Sequence, residues 1–287
     1  MTTVHQTADI ASKSAGHSGA AEEALFVMTC QKYERYLNAS LQNLDEFWPE
    51  HPPAYVVTDG AIEGERVFRK PGSNFVELLS HALDELEQHM PECGHVFLML
   101  EDLAPLAPVD DDYLTKVRDL IRTQNKKYFF VLWNTDDAIE GCDFSEPADD
   151  LGEDAEALSL RTINADYRAF NSLVVCYWEI GHLRDVLSYK LTAGETDPWR
   201  FEFPALGLNE DHYHTKPMWP TFQSGVLKRG AISAAIKKPH AFGPSPLLTQ
   251  VQKELSSSSR ILWDIRREIG LWKEKRRLSS LKKRIGH

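Results

Sequence analysis

The sequence predicts an α/β protein built on a Rossmann-like, mostly parallel central sheet flanked by helices, and three features predict it. The first is the run His95-Val-Phe-Leu-Met-Leu100, almost wholly apolar. Such a run suits a central parallel strand covered on both faces, where no side of the strand meets water. The second is an opening β-α-β pattern. An apolar run from Leu25 to Met28 leads into Thr29 and Cys30. Tyr33, Tyr36, Leu37, Ser40, Leu41, Leu44, Phe47 and Trp48 then recur at helical spacing, and Ala54–Asp59 reads as a second strand. The intervening segment is long enough for a right-handed parallel crossover. The third is a further helix with Ser73 as its expected cap and Phe75, Leu78, Leu79, Ala82, Leu83, Leu86 and Met90 on one face.

The pattern continues beyond these pieces. A helix is expected from about Asp110, with Tyr113, Leu114, Val117, Leu120 and Ile121 on one side, then a strand over Tyr128–Trp133. Residues 135–157 hold ten Asp and Glu and no Lys or Arg, which predicts a solvated acidic loop. Ser172–Trp178 reads as a strand and Ile180–Tyr189 as a short helix carrying Leu183, Val186 and Leu187. Residues 192–202 are turn-rich and aromatic, and a second aromatic loop holds Trp219 and Phe222. Ser256–Ser259 reads as a hinge. After it, Leu262, Ile265, Ile269 and Trp272 recur at amphipathic helical spacing among basic residues.

The expected organisation is a disordered leader over 1–22, one domain over 23–255 and a basic helix over 256–287. The formal net charge of the 287-residue chain is -11. That argues against general nucleic-acid binding, which depends on neutralising phosphates. The tail from Arg260 onward departs from this balance, with ten Lys and Arg against three Asp and Glu. A basic amphipathic helix of this kind can lie on an anionic membrane, on a partner or on the domain itself. Four widely spaced cysteines without a CxxC pair read as free thiols. With no secretory signal and no bilayer-spanning apolar run, the expected location is the cytoplasm, with peripheral contact at the inner membrane face.

In an open α/β sheet, ligands bind beyond the carboxyl ends of the strands. Glu101 and Asp102 stand at such an end. Adjacent carboxylates there are costly unless solvated, paired or metal-bound. Their oxygens suit hard cations such as Mg²⁺ or Mn²⁺, which can bridge the diphosphate of a nucleotide-activated donor. Capping of a turn or pairing with Arg explains the same residues without a ligand. Thr29 and Asp59 end the first two strands. A nucleotide can use the Thr29 hydroxyl, and the Asp59 carboxylate suits a base or ribose. Each also suits local turn capping. Glu202 is the first candidate for a general base and Asp197 the second, beside Trp199 and Trp219, whose rings can stack on sugar faces. His212 and His214 would share a strand face beside Asp211, as acceptor contacts, as polar loop residues, or as part of a metal-dependent hydrolase site needing a further ligand.

Taken together these pieces resemble a family. Phe26-Val-Met-Thr-Cys-Gln-Lys-Tyr33, Phe47-Trp-Pro49 and Tyr55-Val-Val-Thr-Asp59 are similar to the first β-α-β of bacterial GT-A, nucleotide-diphospho-sugar transferase-like proteins of polysaccharide and cell-surface glycan synthesis. Val96-Phe-Leu-Met-Leu-Glu-Asp-Leu103 with Pro108-Val-Asp110 resembles the family's acidic strand-end motif. The family commonly has Asp-Asp and an aromatic where this chain has Glu101-Asp102-Leu103, so the ion-binding role carries to Asp102 first and Glu101 second. Tyr167-Arg168 and Leu173–Trp178 resemble the segment before the acceptor region. Gly194-Glu-Thr-Asp-Pro-Trp-Arg-Phe-Glu202 resembles an aromatic-acid motif, and Gly225-Val-Leu-Lys-Arg-Gly230 a closing glycine motif. The resemblance implies sugar transfer from a nucleotide-diphosphate donor to a saccharide or lipid-linked acceptor. A divalent cation would hold the donor, and an inverting transfer would use one carboxylate base. A retained fold without catalysis, as a GT-A-like scaffold or a carbohydrate-binding protein, is the alternative.

Overall fold

The computed structural model describes residues 22–31, 33–132, 145–164, 167, 171–173, 175–205, 207–208, 212–218, 221 and 245–254. The leader before Glu22, the first part of the acidic stretch, Arg168, Asp211, Trp219, the closing glycine motif, the hinge and the basic tail lie outside these residues.

The chain opens with β1 (Glu23–Thr29), buried along its whole length, then α1 (Glu34–Phe47), β2 (Ala54–Thr58) and β3 (Val67–Arg69). Next come α2 (Phe75–His89), β4 (His95–Leu100) and a 3₁₀ turn over Glu101–Leu103. α3 (Asp111–Thr123) and β5 (Tyr128–Phe130) come after it, then β6 (Ser145–Pro147), a second 3₁₀ turn, α4 (Glu153–Ala157) and β7 (Arg161–Ile163). The last described elements are β8 (Cys176–Glu179), α5 (Ile180–Ala193), α6 (Pro198–Phe201), β9 (His212–His214) and α7 (Pro246–Glu254).

The strands form one sheet in the order β3-β2-β1-β4-β8-β5-β9-β7-β6. β1 pairs in parallel with β2 on one side and β4 on the other, Thr29 standing opposite Thr58 and Met28 opposite Leu100. β8 is antiparallel to both β4 and β5, and β5 runs parallel to β9. The chain thus moves outward from β1 to β3 and then returns to β4 on β1's other flank, so the strand order reverses between β1 and β4. The expected mostly parallel, helix-flanked sheet is what forms.

The period-2 alternation of each strand builds two cores. Ala24, Phe26 and Met28 of β1 join Val96 and Leu98 of β4 beneath α2 and α5. Leu25 and Val27 join Phe97 and Met99 beneath α1 and α3. Trp48 closes the second core. It is fully buried, meets Phe97 edge-on at 5.3 Å, and donates its indole N–H to Asp111 at 2.7 Å. At the start of β1 the buried Glu23 carboxylate accepts from the Tyr177 hydroxyl at 2.6 Å and from Arg118 at 2.7 Å. Burial, reinforced by Glu23, raises the Tyr177 pKa and keeps the phenol a donor.

Several local expectations change. Asn74, not Ser73, caps α2, through a reciprocal capping box with Glu77, while the Ser73 hydroxyl donates to Lys70 O. β5 ends at Phe130 and β8 begins at Cys176, both shorter than their apolar runs, because they pair with each other over only three residues. Residues 145–157 of the acidic stretch are not loop. They form β6, the second 3₁₀ turn and α4, burying Ala148, Leu151 and Ala155 in the second core while their acids face outward. α7 had no sequence signal. It docks through Asn43 of α1, whose Oδ1 accepts from Leu247 N and whose Nδ2 donates to Pro105 O, each at 2.9 Å.

Replacing Asn43 with Ala orphans a buried backbone N–H and a buried carbonyl. Each such loss costs about 1–3 kcal/mol. Asn43→Ala is expected to lower the unfolding free energy by about 3 kcal/mol, read from urea midpoints. A change under about half a kcal/mol would show that water replaces both bonds.

Candidate functional site

Seven of the nine strands among the described residues point the same way, so their carboxyl ends share one edge. The reversal between β1 and β4 opens the crevice where ligands of doubly wound sheets bind. Antiparallel β8 delivers its start, with residues 171–173, to that same edge. Sequence-predicted residues from separate parts of the chain gather there: Thr29, Asp59, Glu101, the backbone of Asp102, and Glu202.

Thr29 ends β1 and is 6% exposed, and its hydroxyl has no hydrogen-bond partner among the described residues. A buried hydroxyl left this way carries its full desolvation penalty. Asp59 lies just past β2, and its Oδ1 accepts from Gln31 N at 3.2 Å, tying the two strand exits together. Glu34 adds a second tie, accepting from Ala61 N at 2.9 Å and from the Thr58 hydroxyl at 3.4 Å. That approach requires Gly60, since a Cβ there would overlap the Glu34 carboxylate. Glu101 is 5% exposed, and its carbonyl accepts from the Ser40 hydroxyl at 2.6 Å. Ser40 and Asn43 of α1 therefore fix the loop after β4. The Asp102 side chain lies outside the described residues.

The acceptor-side candidates occupy structural positions of different kinds. Asp197 caps α6, accepting from Trp199 N and Arg200 N at 3.1 Å each. Trp199 stands 74% exposed. Glu202 comes directly after α6, and its Oε1 accepts from Leu173 N at 3.1 Å, while its carbonyl accepts from Asn171 N. The site therefore joins α6 to the start of β8.

His212 and His214 share one face of β9, as alternation requires, but both are almost fully buried. His212 sits at the opposite end of the strand. It packs on Tyr128 and Trp178, with its Nε2 3.0 Å from that of His182. His214 Nδ1 lies 2.9 Å from Thr215 O, which can only accept, so Nδ1 carries the proton and Nε2 accepts from the Ser145 hydroxyl at 2.9 Å. Ser145 in turn accepts from Arg161 Nε. Burial, with Arg161 nearby, lowers the His214 pKa to about 4 despite its bond to Thr215. These two histidines belong to the packed sheet and offer no surface to a saccharide.

Among the described residues no group of three or more His, Cys, Asp and Glu side chains is arranged to hold a metal ion. Hard cations bound at substrate phosphates take as few as one or two protein carboxylates. No helix of the described residues is long and apolar enough to cross a membrane. Cys30, Cys93 and Cys176 form no disulfide among the described residues, and Cys142 lies outside them. Sequence reading missed Glu34, Asn43, Asn171 and Lys190. The only advance signal was polar Ser40 and Asn43 beside the apolar stripe of α1.

No protein-family model matches the chain, and none of the curated proteins compared with it does. Among solved structures it is similar to core-mannan synthase A from Aspergillus fumigatus in its Mn/GDP form, at 10% identity over 83% of this chain and 85% of that one, TM-score 0.40. It is similar to galactosyltransferase LgtC in complex with donor and acceptor sugar analogs, at 10% identity over 62% and 68%, TM-score 0.35. It is also similar to A197 from STIV, at 11% identity over 67% and 81%, TM-score 0.37.

These positions lead to two expected outcomes. Thr29→Val keeps the shape and removes the orphaned hydroxyl. The ligand-free protein is expected to gain about 1 kcal/mol in urea unfolding, and a loss of stability would mean the hydroxyl is satisfied. For His214, the unfolded chain takes up a proton near the ordinary value of 6.5, and the folded chain resists until about 4. Its contribution is therefore intact above pH 6.5 and lost as pH falls through that window, on the order of 3 kcal/mol. Unfolding midpoints at about pH 7 and about pH 4 should show this loss, and His214→Gln should remove it.

Proposed function

We propose that the chain is a GT-A-type glycosyltransferase, moving a sugar from a nucleotide-diphosphate donor to a saccharide or lipid-linked acceptor. The observation that carries this reading is the convergence at the β1/β4 reversal. There an orphaned Thr29 hydroxyl, the cross-tied exits of β1 and β2, and the acidic turn after the most apolar strand meet on one edge. That is the place where ligands of doubly wound sheets bind, and its acids suit a nucleotide diphosphate together with a divalent cation.

In this reading Thr29 and Asp59 hold the nucleotide. Asp102, with Glu101, would hold Mn²⁺ or Mg²⁺ against the donor phosphates, where the cation stabilises charge on the leaving diphosphate. Trp199 offers an exposed aromatic face to the acceptor sugar. Glu202, oriented by Leu173 N, accepts the acceptor hydroxyl's proton as its oxygen bonds to the anomeric carbon. The bond from that carbon to the phosphate oxygen breaks, and its electron pair leaves with the diphosphate. Asp197 caps α6 and orients Trp199 rather than taking a proton. The setting proposed is polysaccharide synthesis at the cytoplasmic face of a membrane, with the basic tail 256–287 against anionic lipid where the acceptor is lipid-linked.

Calorimetry with UDP, GDP, CDP and ADP, each with and without Mn²⁺, tests the reading. The wild type is expected to bind at least one nucleotide in a Mn²⁺-dependent way. Asp102→Asn should keep its unfolding temperature and lose roughly tenfold or more in that affinity, about 1.4 kcal/mol. Unchanged binding in the variant would remove Asp102 from the site. No binding by the wild type would favour the catalytically silent scaffold.

A further inference from the structure

Residues 195–203 carry Trp199 and Glu202, yet the only regular structure among them is one four-residue turn of helix, α6. A helix that short does not hold itself in water. The segment is instead held from below by a residue that none of the chemistry above uses. Lys190, in the last turn of α5, has no solvent exposure at all. Its Nζ donates to Glu195 Oε2 at 2.6 Å and to Arg200 O at 3.0 Å. The chain folds back to make this possible. Gly194 takes the left-handed conformation at φ 70°, and Glu195 N bonds back to Lys190 O at 2.9 Å. Lys190 therefore grips Glu195 by backbone and side chain, and reaches the far end of α6 through Arg200.

A lysine ammonium is strongly hydrated and is almost never fully buried without a partner. An apolar side chain of similar volume would fill the space without that desolvation, so packing does not explain the charge. What the ammonium supplies is direction, since it bonds a carboxylate before α6 and a carbonyl within it. The far end is fixed separately. Phe201 is buried against Phe75 at 5.4 Å and Trp178 at 6.2 Å. Asn171 Nδ2 donates to Phe203 O at 2.8 Å, and Glu202 holds Leu173 N. The result is a Trp that stays 74% exposed on a segment clamped at both ends.

We infer that Lys190 is a positioning residue, whose buried clasp with Glu195 and Arg200 fixes the conformation in which Trp199 and Glu202 are presented to a ligand. Lys190 touches no ligand itself. The assignment of that ligand as the sugar acceptor rests on the transferase reading; the clasp does not.

The test is hydrogen–deuterium exchange of the full chain, comparing wild type, Lys190→Met and Glu195→Ala. Lys190→Met removes the buried charge and fills its space, so it is expected to fold even where Glu195→Ala, which leaves the ammonium with the Arg200 carbonyl, does not. Exchange is expected to rise roughly tenfold or more across 195–203 and to stay unchanged in β1, β4 and α2. Exchange that is unchanged at 195–203, or that rises evenly over the chain, would overturn the clasp. Transfer kinetics supply the second readout. The acceptor KM should rise about tenfold with the donor KM unchanged. Loss of stability alone would lower the active fraction and leave both KM values in place, contradicting the positioning role. Local exchange without any transferase activity in the wild type would sink the transferase reading and leave the clasp standing.

Discussion

A strand at the centre of a sheet covered on both faces can carry polar groups only at its two ends, and β1 treats its two ends in opposite ways. All seven of its residues are buried. At its start the Glu23 carboxylate is fully engaged by Tyr177 and Arg118. At its finish the Thr29 hydroxyl has no partner among the described residues. One end of the strand is closed by structure, and the other is left with an unmet hydrogen bond.

Tied loops matter because a site on loops is only as precise as the contacts behind it. Polar side chains of α1 and the strand exits supply those contacts. Glu34 and Asp59 lock the exits of β1 and β2 together, and Ser40 and Asn43 hold the loop after β4. On the far side, Glu202 and Asn171 join α6 to the start of β8. The carboxyl edge at the strand reversal is thus bordered by segments that are distant in sequence and fixed by side-chain-to-backbone bonds as well as by the buried Phe201.

Periodicity made the central architecture legible. The run His95–Leu100 is β4 to the residue, and the apolar faces of α1, α2 and α3 are those the spacing marks. The carboxyl-edge placement of Thr29, Asp59 and Glu101 came from the parallel order alone. The rest depended on contacts between residues far apart. Nothing local in Cys176–Glu179 tells that it runs antiparallel between β4 and β5. The acids of 145–157 hid three small apolar residues that bind the stretch to the core. His212 and His214 read as polar contacts because histidine is commonly exposed, but β9 lies inside the sheet. Lys190 reads as an ordinary helix residue until the chain turns back at Gly194.

If the β1/β4 crevice takes a nucleotide diphosphate with a divalent cation, the ion must sit beside the exits of those two strands. Paramagnetic broadening by Mn²⁺ in amide NMR spectra, recorded with a nucleoside diphosphate present, tests this most directly, because it reports where the ion sits without requiring turnover. The expected result is broadening centred on residues 28–31 and 100–103, extending to 58–60. Broadening centred instead on the acids of 149–156 or on the His182–His212 pair would contradict it.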